Sequence, residues 1–315
     1  MKISRKFQAY VELSAAMFIV GSSVVAAKII TRSLPVFLAG GLRFAIALLI
    51  LIPLLIKAEG LPAVTPKEAG ILFLQALTGI FGFSLFLLYG LKFTTAAASG
   101  IVTSTTPAVL GIISFLFLKE PLEKRKIVGI AMAVAGIMTL NIPGLSPAGG
   151  RDASAAIPWL GNTLVFGAVI CEALFTVLGK ALSKRLTPLA ISTYVSVCGF
   201  LMFLPFGIFE ALRFEFETVA AQDWLSLVYY GVVVTVGGFF LMYSGVSKVP
   251  VNTAAVFTGV LPLSALLLSA LILGERIHPA QIAGFFLILI GIIHSSRETA
   301  GIKGTPSRPE AYHEL

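Results

Sequence analysis

Ten apolar stretches recur along nearly the whole chain, and they restrict the folds that the chain can adopt. With 57% hydrophobic and 12% charged residues and a mean hydropathy of +0.97, the chain is too apolar for a soluble domain, in which about 25% of residues are charged. The stretches are continuous rather than alternating, which favours membrane helices over barrel strands. We therefore predict an all-α membrane protein with ten transmembrane helices, at 10–30, 34–56, 70–91, 96–118, 127–141, 158–179, 188–209, 223–246, 251–273 and 279–295.

The distribution of basic residues predicts the orientation of these helices. With a cytoplasmic N-terminus, sixteen of the 23 Lys and Arg residues fall on the cytoplasmic side and five on the other, while Lys28 and Arg43 lie within spans. This bias follows the positive-inside rule and places both termini in the cytoplasm. Because topology accounts for the net charge of +8, we expect no nucleic-acid partner.

One sequence pattern occurs twice, as STTPAVLGIISFLFLKEPL at 104–122 and GVLPLSALLLSALILGERI at 259–277. The alignment of Pro107 with Pro262 brings further pairs into register: Glu120 with Glu275, Gly129 with Gly284, and Gly136 with Gly291. Two five-helix repeats follow, and an odd number of spans inverts the second repeat relative to the first. We predict repeats at 1–141 and 158–295, a linker at 142–157 and a disordered cytoplasmic tail at 296–315.

The repeated prolines fall near the centres of the predicted helices 96–118 and 251–273. A proline there removes one backbone hydrogen bond, and the freed carbonyl needs a hydroxyl, another helix or water as its partner. Pro107 and Pro262 either fix two kinks or act as hinges that close alternate sides of a central pathway. The paired glycines share one face of each helix and predict close helix packing.

This duplicated pattern resembles the EamA-type branch of the drug/metabolite transporter superfamily. The likeness covers about residues 10–295 and includes FIVGSSVVAAKIITRSLPVFLAGGLRFAIALLILIP at 18–53. The resemblance implies a secondary transporter of the bacterial inner membrane that exports amino acids or related small metabolites by alternating access. It also implies a cavity lined by the first, third, fourth, sixth, eighth and ninth helices, with the second helix peripheral. Where many members carry Trp-Gly-Ser-Asn in the first helix, this chain has Val20, Gly21, Ser22 and Ser23.

Charged residues within spans are candidate functional groups, because each costs about 2.5–3.5 kcal/mol on insertion scales. Glu172, in the sixth helix, suits proton coupling or the binding of an amino group, since a carboxyl in apolar surroundings favours its neutral form unless it is paired. The alternative is a structural role, as a member of an ion pair or as a hydrogen-bonded carboxyl. Lys28 either meets an anionic substrate group or, like Lys180, extends to the headgroups. Arg43 in the peripheral second helix is assigned a structural role.

Glu120 and Glu275 lie at opposite membrane boundaries, and we predict that each caps the helix that follows it. The uncharged candidates for the cavity lining, each of which could instead be a core residue, are Ser22, Ser23, Tyr89, Thr103, Phe175, Tyr243, Asn252 and Phe257.

Several functions are excluded by missing motifs. The sequence has no GxxxxGK[ST] phosphate loop, and its histidines and cysteines lack metal-ligand spacing. We expect no enzyme activity, no cofactor and no metal. The expected partners are a small-molecule substrate, the lipid bilayer and, as candidate coupling ion, the proton; nothing indicates an oligomeric state. The alternative function is uptake of an anionic metabolite such as a sugar phosphate, with Lys28 and Arg43 as cationic contacts.

Overall fold

A computed structural model of the chain describes residues 5–30, 33–93, 102–142, 158–273 and 278–296. Every regular element in these ranges is helical. The first half contributes α1 Arg5–Ile30, α2 Val36–Glu59, α3 Pro66–Ala76, α4 Phe83–Phe93, α5 Thr106–Leu118 and α6 Lys124–Asn141. The second half contributes α7 Pro158–Leu182, α8 Pro188–Ala211, α9 Ala221–Tyr229, α10 Phe239–Lys248, α11 Val251–Phe257, α12 Val260–Leu273 and α13 Pro279–Ser296.

Seven segments of the described ranges are long and apolar enough to cross a membrane: Arg5–Ala27, Val36–Glu59, Pro66–Leu87, Trp159–Leu182, Pro188–Ala211, Ala221–Lys248 and Val251–Ile272. Thr106–Leu118 and Pro279–Ser295 are apolar but shorter. The predicted all-α architecture with several membrane spans is confirmed. The number of ten spans stays a prediction, as do the boundaries of the repeats. The predicted tail and the greater part of the predicted linker lie outside the described residues.

Local sequence accounts for where several helices begin and end. Thr65 and Glu68 form a capping box at the start of α3, in which Glu68 N donates to Thr65 Oγ1 and Thr65 N donates to Glu68 Oε2. At the start of α8, Thr187 Oγ1 accepts a hydrogen bond of 3.1 Å from Ala190 N. The α2 helix ends at Gly60, whose φ of 74° favours glycine.

Two segments of π-helix interrupt spans at equivalent positions in the two halves. Leu77–Gly82 joins α3 to α4, and Tyr230–Gly238 joins α9 to α10. When Pro107 is aligned with Pro262, as in the repeat, the first π segment falls within the second. Short π segments inside helices frequently occur at functional sites, and sequence reasoning gave no indication of these two.

The helices that carry the repeated prolines are broken rather than continuous, which corrects the expectation that Pro107 and Pro262 lie within unbroken helices. A turn at Thr258 and Gly259 separates α11 from α12, and a turn also precedes α5. Each proline therefore lies in the first turn of a new helix, where a backbone N–H would have no helical partner.

Hydroxyl groups donate to backbone carbonyls at both breaks, although not to the carbonyls four residues before the prolines that a continuous helix would have left free. Thr105 Oγ1 donates to Val102 O at 2.7 Å, and Thr258 Oγ1 donates to Ala255 O at 2.7 Å. In an apolar setting these bonds offset much of the cost of interrupting a helix.

Equivalent helices of the two halves pack against each other in antiparallel pairs. The α2 helix contacts α8, and α6 contacts α13. In the second pair, a Cβ atom on Gly136 would lie 2.9 Å from Gly284 O, and one on Gly129 would lie 3.1 Å from Gly291 O. The close helix approach predicted from these four glycines is confirmed.

Further helix contacts between the two halves surround the centre of the molecule. The α1 helix packs on α10 and α12 of the second half, and α7 packs on α4 and α5 of the first half. The first helix of each half therefore packs against helices of the other half. The interior between the halves is the place where a site is expected.

Candidate functional site

A cavity of about 350 Å³ lies between the two halves and is lined by residues of both. Its lining is largely apolar, with side chains such as Leu13, Met17 and Met242. Two charged residues line it, Arg43 and Glu172, together with six hydroxyl side chains: Ser23, Ser84, Thr106, Thr176, Tyr230 and Thr258. An apolar cavity with a few convergent polar groups is the usual form of a small-molecule site.

Glu172 reaches the cavity from the middle of α7, opposite the break that precedes α5. Thr106 Oγ1 donates to Glu172 Oε2 at 3.3 Å. One turn further along α7, Thr176 also lines the cavity, and its Oγ1 donates to Glu172 O at 3.3 Å. Among the described residues no cation pairs with this carboxyl, so the structural ion pair considered for it is absent from that part of the chain.

Arg43 lies in the cavity lining, whereas its assignment to a peripheral helix predicted a structural role away from the site. The π segment Tyr230–Gly238 packs on α2 and brings the Tyr230 ring against the Arg43 side chain. The guanidinium Cζ lies 4.4 Å from the ring centroid of Phe44 and 4.7 Å from that of Tyr230. Its buried Nε has no hydrogen-bond partner within the described ranges.

Ser23 and Phe175, two of the predicted lining residues, line the cavity, whereas Ser22 does not. Ser23 lines it while its Oγ donates to Val20 O at 2.5 Å. Phe175 lines it and packs against Phe239, with 5.7 Å between the ring centroids. Ser22 is absent from the lining, because its hydroxyl is 2.6 Å from Tyr229 Oη on the neighbouring helix.

Other predicted lining residues occupy the core or the surface. Tyr243 is buried behind the cavity, where its Oη accepts a hydrogen bond of 3.0 Å from Gln75 Nε2. Phe257 is buried against Tyr10, with 5.3 Å between the ring centroids. Tyr89 is 52% exposed, and neither it nor Thr103 is among the lining residues.

Two predicted residues cannot be placed. The side chain of Lys28 and the whole of Glu275 lie outside the described part of the chain.

Glu120 and Asn252 belong to a junction beneath the cavity rather than to its lining. Glu120 Oε2 accepts hydrogen bonds from Ser114 Oγ at 2.8 Å and from Asn252 N at 3.2 Å, and Asn252 Nδ2 donates to Pro121 O at 2.7 Å. Glu120 therefore caps α11 of the other half, not α6 as predicted. The chain folds so that the start of α11, and not that of α6, lies against this carboxylate.

Lys180 meets the same junction from α7. Its Nζ donates to Val246 O at 2.7 Å, Ser247 O at 3.3 Å and Val249 O at 2.9 Å. This places a cation at the carbonyl end of α10, where it complements the helix dipole. The prediction that Lys180 extends to the headgroups is wrong, because these carbonyls hold its amine inside the protein.

Sequence reasoning missed five polar lining residues: Ser84, Thr106, Thr176, Tyr230 and Thr258. Thr106 is adjacent to Pro107, and Thr258 precedes Pro262 by four residues, so the repeated prolines could have indicated both. Tyr230 carried no such signal. Within the described ranges, no group of three His, Cys, Asp or Glu side chains could hold a metal ion.

Known proteins resemble this chain along most of its length. The model of the EamA-like transporter family matches residues 9–142 and 159–297. The chain is 47% identical over 291 residues to "Uncharacterized transporter YetK" of Bacillus subtilis, with 92% of this chain and 87% of that protein covered. It is 23% identical over 243 residues to a "Probable terminal-alkyne amino-acid exporter" of Streptantibioticus cattleyicolor, with 77% and 78% covered.

A chain of known crystal structure shares the fold, with a TM-score of 0.75 and 18% sequence identity over 91% of this chain and 96% of the other. The chain belongs to the EamA-like transporter family and is a multi-pass membrane transporter, not an enzyme.

Proposed function

We propose that this transporter exports amino acids or related small metabolites across the cytoplasmic membrane by alternating access. It does so with ten spans arranged as two inverted five-helix repeats, 1–141 and 158–295, joined by the linker 142–157, and with both termini in the cytoplasm. The observation that carries the proposal is the cavity between the halves, with the Glu172 carboxyl in its otherwise mostly apolar lining.

The antiparallel pairing of equivalent helices supports the inverted arrangement. In the α2–α8 pair, Gly40 lies on Phe203 while Gly199 lies on Phe44, so the helices run in opposite directions. Their ends also exchange equivalent contacts, because Thr187 Oγ1 donates to Glu59 and Leu38 N donates to Glu210. The two separate matches to the family model agree with a duplicated unit.

The chemistry of the cavity supports a substrate that carries a cationic group and an apolar part. A carboxyl without a described cationic partner can accept hydrogen bonds from an ammonium group. The surrounding apolar lining can bury an aliphatic or aromatic side chain. The relative named as an amino-acid exporter agrees with this class of substrate.

The alternative, uptake of an anionic metabolite such as a sugar phosphate, would use Lys28 and Arg43 as cationic contacts. The presence of Arg43 in the lining favours some anionic group on the substrate. A phosphate dianion in the same cavity would, however, be repelled by an ionised Glu172. A substrate with both charges can place its anionic group at Arg43 and its cationic group at Glu172, so that this repulsion does not arise.

The junction beneath the cavity supports closure on the proposed cytoplasmic side. Glu120, in the connection between α5 and α6, and Lys180, in α7, hold the α10–α11 connection, and Lys248 Nζ donates to Glu12 Oε1 at 2.5 Å beside it. Inward opening requires the contacts between the halves, Glu120 with Asn252 and Glu12 with Lys248, to separate. Because they are polar and local, they can break and re-form as the halves move.

A thermal-shift screen of the purified transporter against a metabolite library, followed by counterflow in proteoliposomes, tests this function. We expect amino acids with apolar side chains to raise the melting temperature and to exchange across the membrane, and sugar phosphates to do neither. Counterflow of sugar phosphates without counterflow of any amino acid would support the alternative and overturn the proposal.

A further inference from the structure

We propose that Arg43 binds the carboxylate of the substrate while Glu172 binds its ammonium group, so that the cavity selects zwitterions over the corresponding amines. This assignment rests on the proposed export of amino acids or related metabolites. It gives Arg43 the role of a specificity-determining residue.

The first argument is the absence of a described counter-charge for either group. Arg43 and Glu172 line one cavity, yet no ion pair joins them. The only described hydrogen bond to the Glu172 carboxyl comes from the neutral Thr106 hydroxyl, and the buried Nε of Arg43 has no acceptor within the described residues. A ligand that carries both charges can partner the two groups together.

The second argument is the way in which the guanidinium is held. The rings of Phe44 and Tyr230 lie 4.4 and 4.7 Å from its Cζ, at the distance of cation–π contacts. Its Nε has no acceptor among the described residues, so the ring contacts hold the ion without supplying a hydrogen-bond acceptor. A planar fork of N–H donors matches the two oxygens of a carboxylate.

The third argument is that the backbone positions the Tyr230 ring. Tyr230 is the first residue of the second π segment, and Gly231 follows it against α2. A Cβ atom on Gly231 would lie 2.9 Å from Arg43 O and 2.8 Å from Ile46 Cγ2. Glycine therefore permits the close approach that sets the ring over the cation.

The test compares an amino acid with the amine formed by its decarboxylation, with L-phenylalanine and phenethylamine as the first pair and L-leucine and isoamylamine as the second. Uptake of each into proteoliposomes is measured for the wild type and for Arg43→Gln. We expect the wild type to favour the amino acid. In the variant, amino-acid transport should fall by about tenfold or more, the loss expected for a charge-assisted hydrogen bond, while amine transport is maintained or increased.

The matched control is Arg213→Gln. Arg213 also lies over a ring, with its Cζ 4.3 Å from the centroid of Phe209, but it is absent from the cavity lining. This variant should keep the wild-type preference. If Arg43→Gln does not fold, Tyr230→Leu is tested in its place. This variant keeps the cation but removes one ring, and it should weaken the preference for the amino acid over the amine.

The outcomes separate the two proposals. A wild type that transports neither amino acid contradicts the proposed substrate class. If the wild type transports an amino acid but Arg43→Gln, or Tyr230→Leu in its place, keeps the same ratio of amino-acid to amine transport, the role of Arg43 is overturned and the proposed export stands.

Discussion

At the scale of single residues, the neighbourhood of each charge decides its role. Glu172, Arg43 and Lys180 are all charged residues within apolar helices, which makes each of them costly in lipid. The Lys180 amine donates hydrogen bonds to three carbonyls at the end of α10. Arg43 and Glu172 keep their charged groups directed into a cavity. Partners that are remote in sequence therefore distinguish a structural charge from one available to a ligand.

Glu172→Gln tests whether this carboxyl couples transport to protons. Glutamine keeps the size of the side chain but cannot take up or release a proton, so we expect pH-gradient-driven flux in proteoliposomes to be abolished. Substrate counterflow, which needs no gradient, should persist at a reduced rate.

The control for this experiment is Glu123→Gln. The Glu123 side chain is 57% exposed, and its ion pair within the described residues is with Lys126 in the first turn of α6, at 3.7 Å. It lies outside the cavity lining and should leave coupling intact. Undiminished pH-driven flux in Glu172→Gln would remove this residue from the coupling mechanism.

At the scale of elements, the two halves break their helices in the same places. The prolines follow turns, and the π segments lie at equivalent positions of the repeat. The repeated prolines are visible in the sequence, but the sequence predicts continuous helices around them. A proline is compatible with either arrangement, and the hydrogen bonds made by Thr105 and Thr258 stabilise the broken one.

Pro107→Ala and Pro262→Ala test whether these breaks act as hinges. Alanine restores a backbone N–H and favours a continuous helix, so we expect transport to fall severalfold while the melting temperature stays the same or rises. Pro53→Ala, inside α2 and away from the cavity lining, is the control. Unchanged transport in both hinge variants would leave the prolines with a packing role only.

The α6–α13 pair depends on the absence of side chains at its contact. A Cβ atom on Gly136 would lie 2.6 Å from Ile288 Cγ1 as well as 2.9 Å from Gly284 O. We expect Gly136→Val to destabilise the transporter by about 1–3 kcal/mol through overpacking, seen as a lower melting temperature in detergent.

Gly70→Ala is the matched control for this substitution, because a Cβ atom there would meet nothing within 4 Å. Alanine at this exposed helical position should be neutral or stabilising. Equal melting temperatures for Gly136→Val and the wild type would contradict the proposed dependence on close backbone approach.

At the scale of the whole molecule, the proposed inversion of one half relative to the other can be tested by labelling of introduced cysteines. In a background in which Cys171 and Cys198 are replaced by alanine, Glu123→Cys and Gln222→Cys should lie on opposite faces of the membrane. A membrane-impermeant maleimide should label Gln222→Cys in intact cells and Glu123→Cys only after permeabilisation.

The other labelling results have distinct meanings. The reverse pattern would keep the inversion and overturn the assigned orientation. Labelling of both cysteines from the same face would contradict the inverted arrangement of the repeats and, with it, alternating access between them.

The sequence by itself determined that this chain is a helical membrane protein and predicted that it is built from a duplicated unit, because apolar length, charge bias and repetition are properties of the linear order of residues. It also indicated Glu172 as a candidate functional residue, since a carboxyl in an apolar helix is costly anywhere in lipid. Only the tertiary structure decided which residues share the cavity: it brought Arg43 and Tyr230 into the lining, turned Ser22 and Tyr243 away, and set Glu120 on the opposite half. The reason is that helix rotation, helix breaks and π turns set the direction of each side chain, and these depend on packing between segments far apart in the sequence.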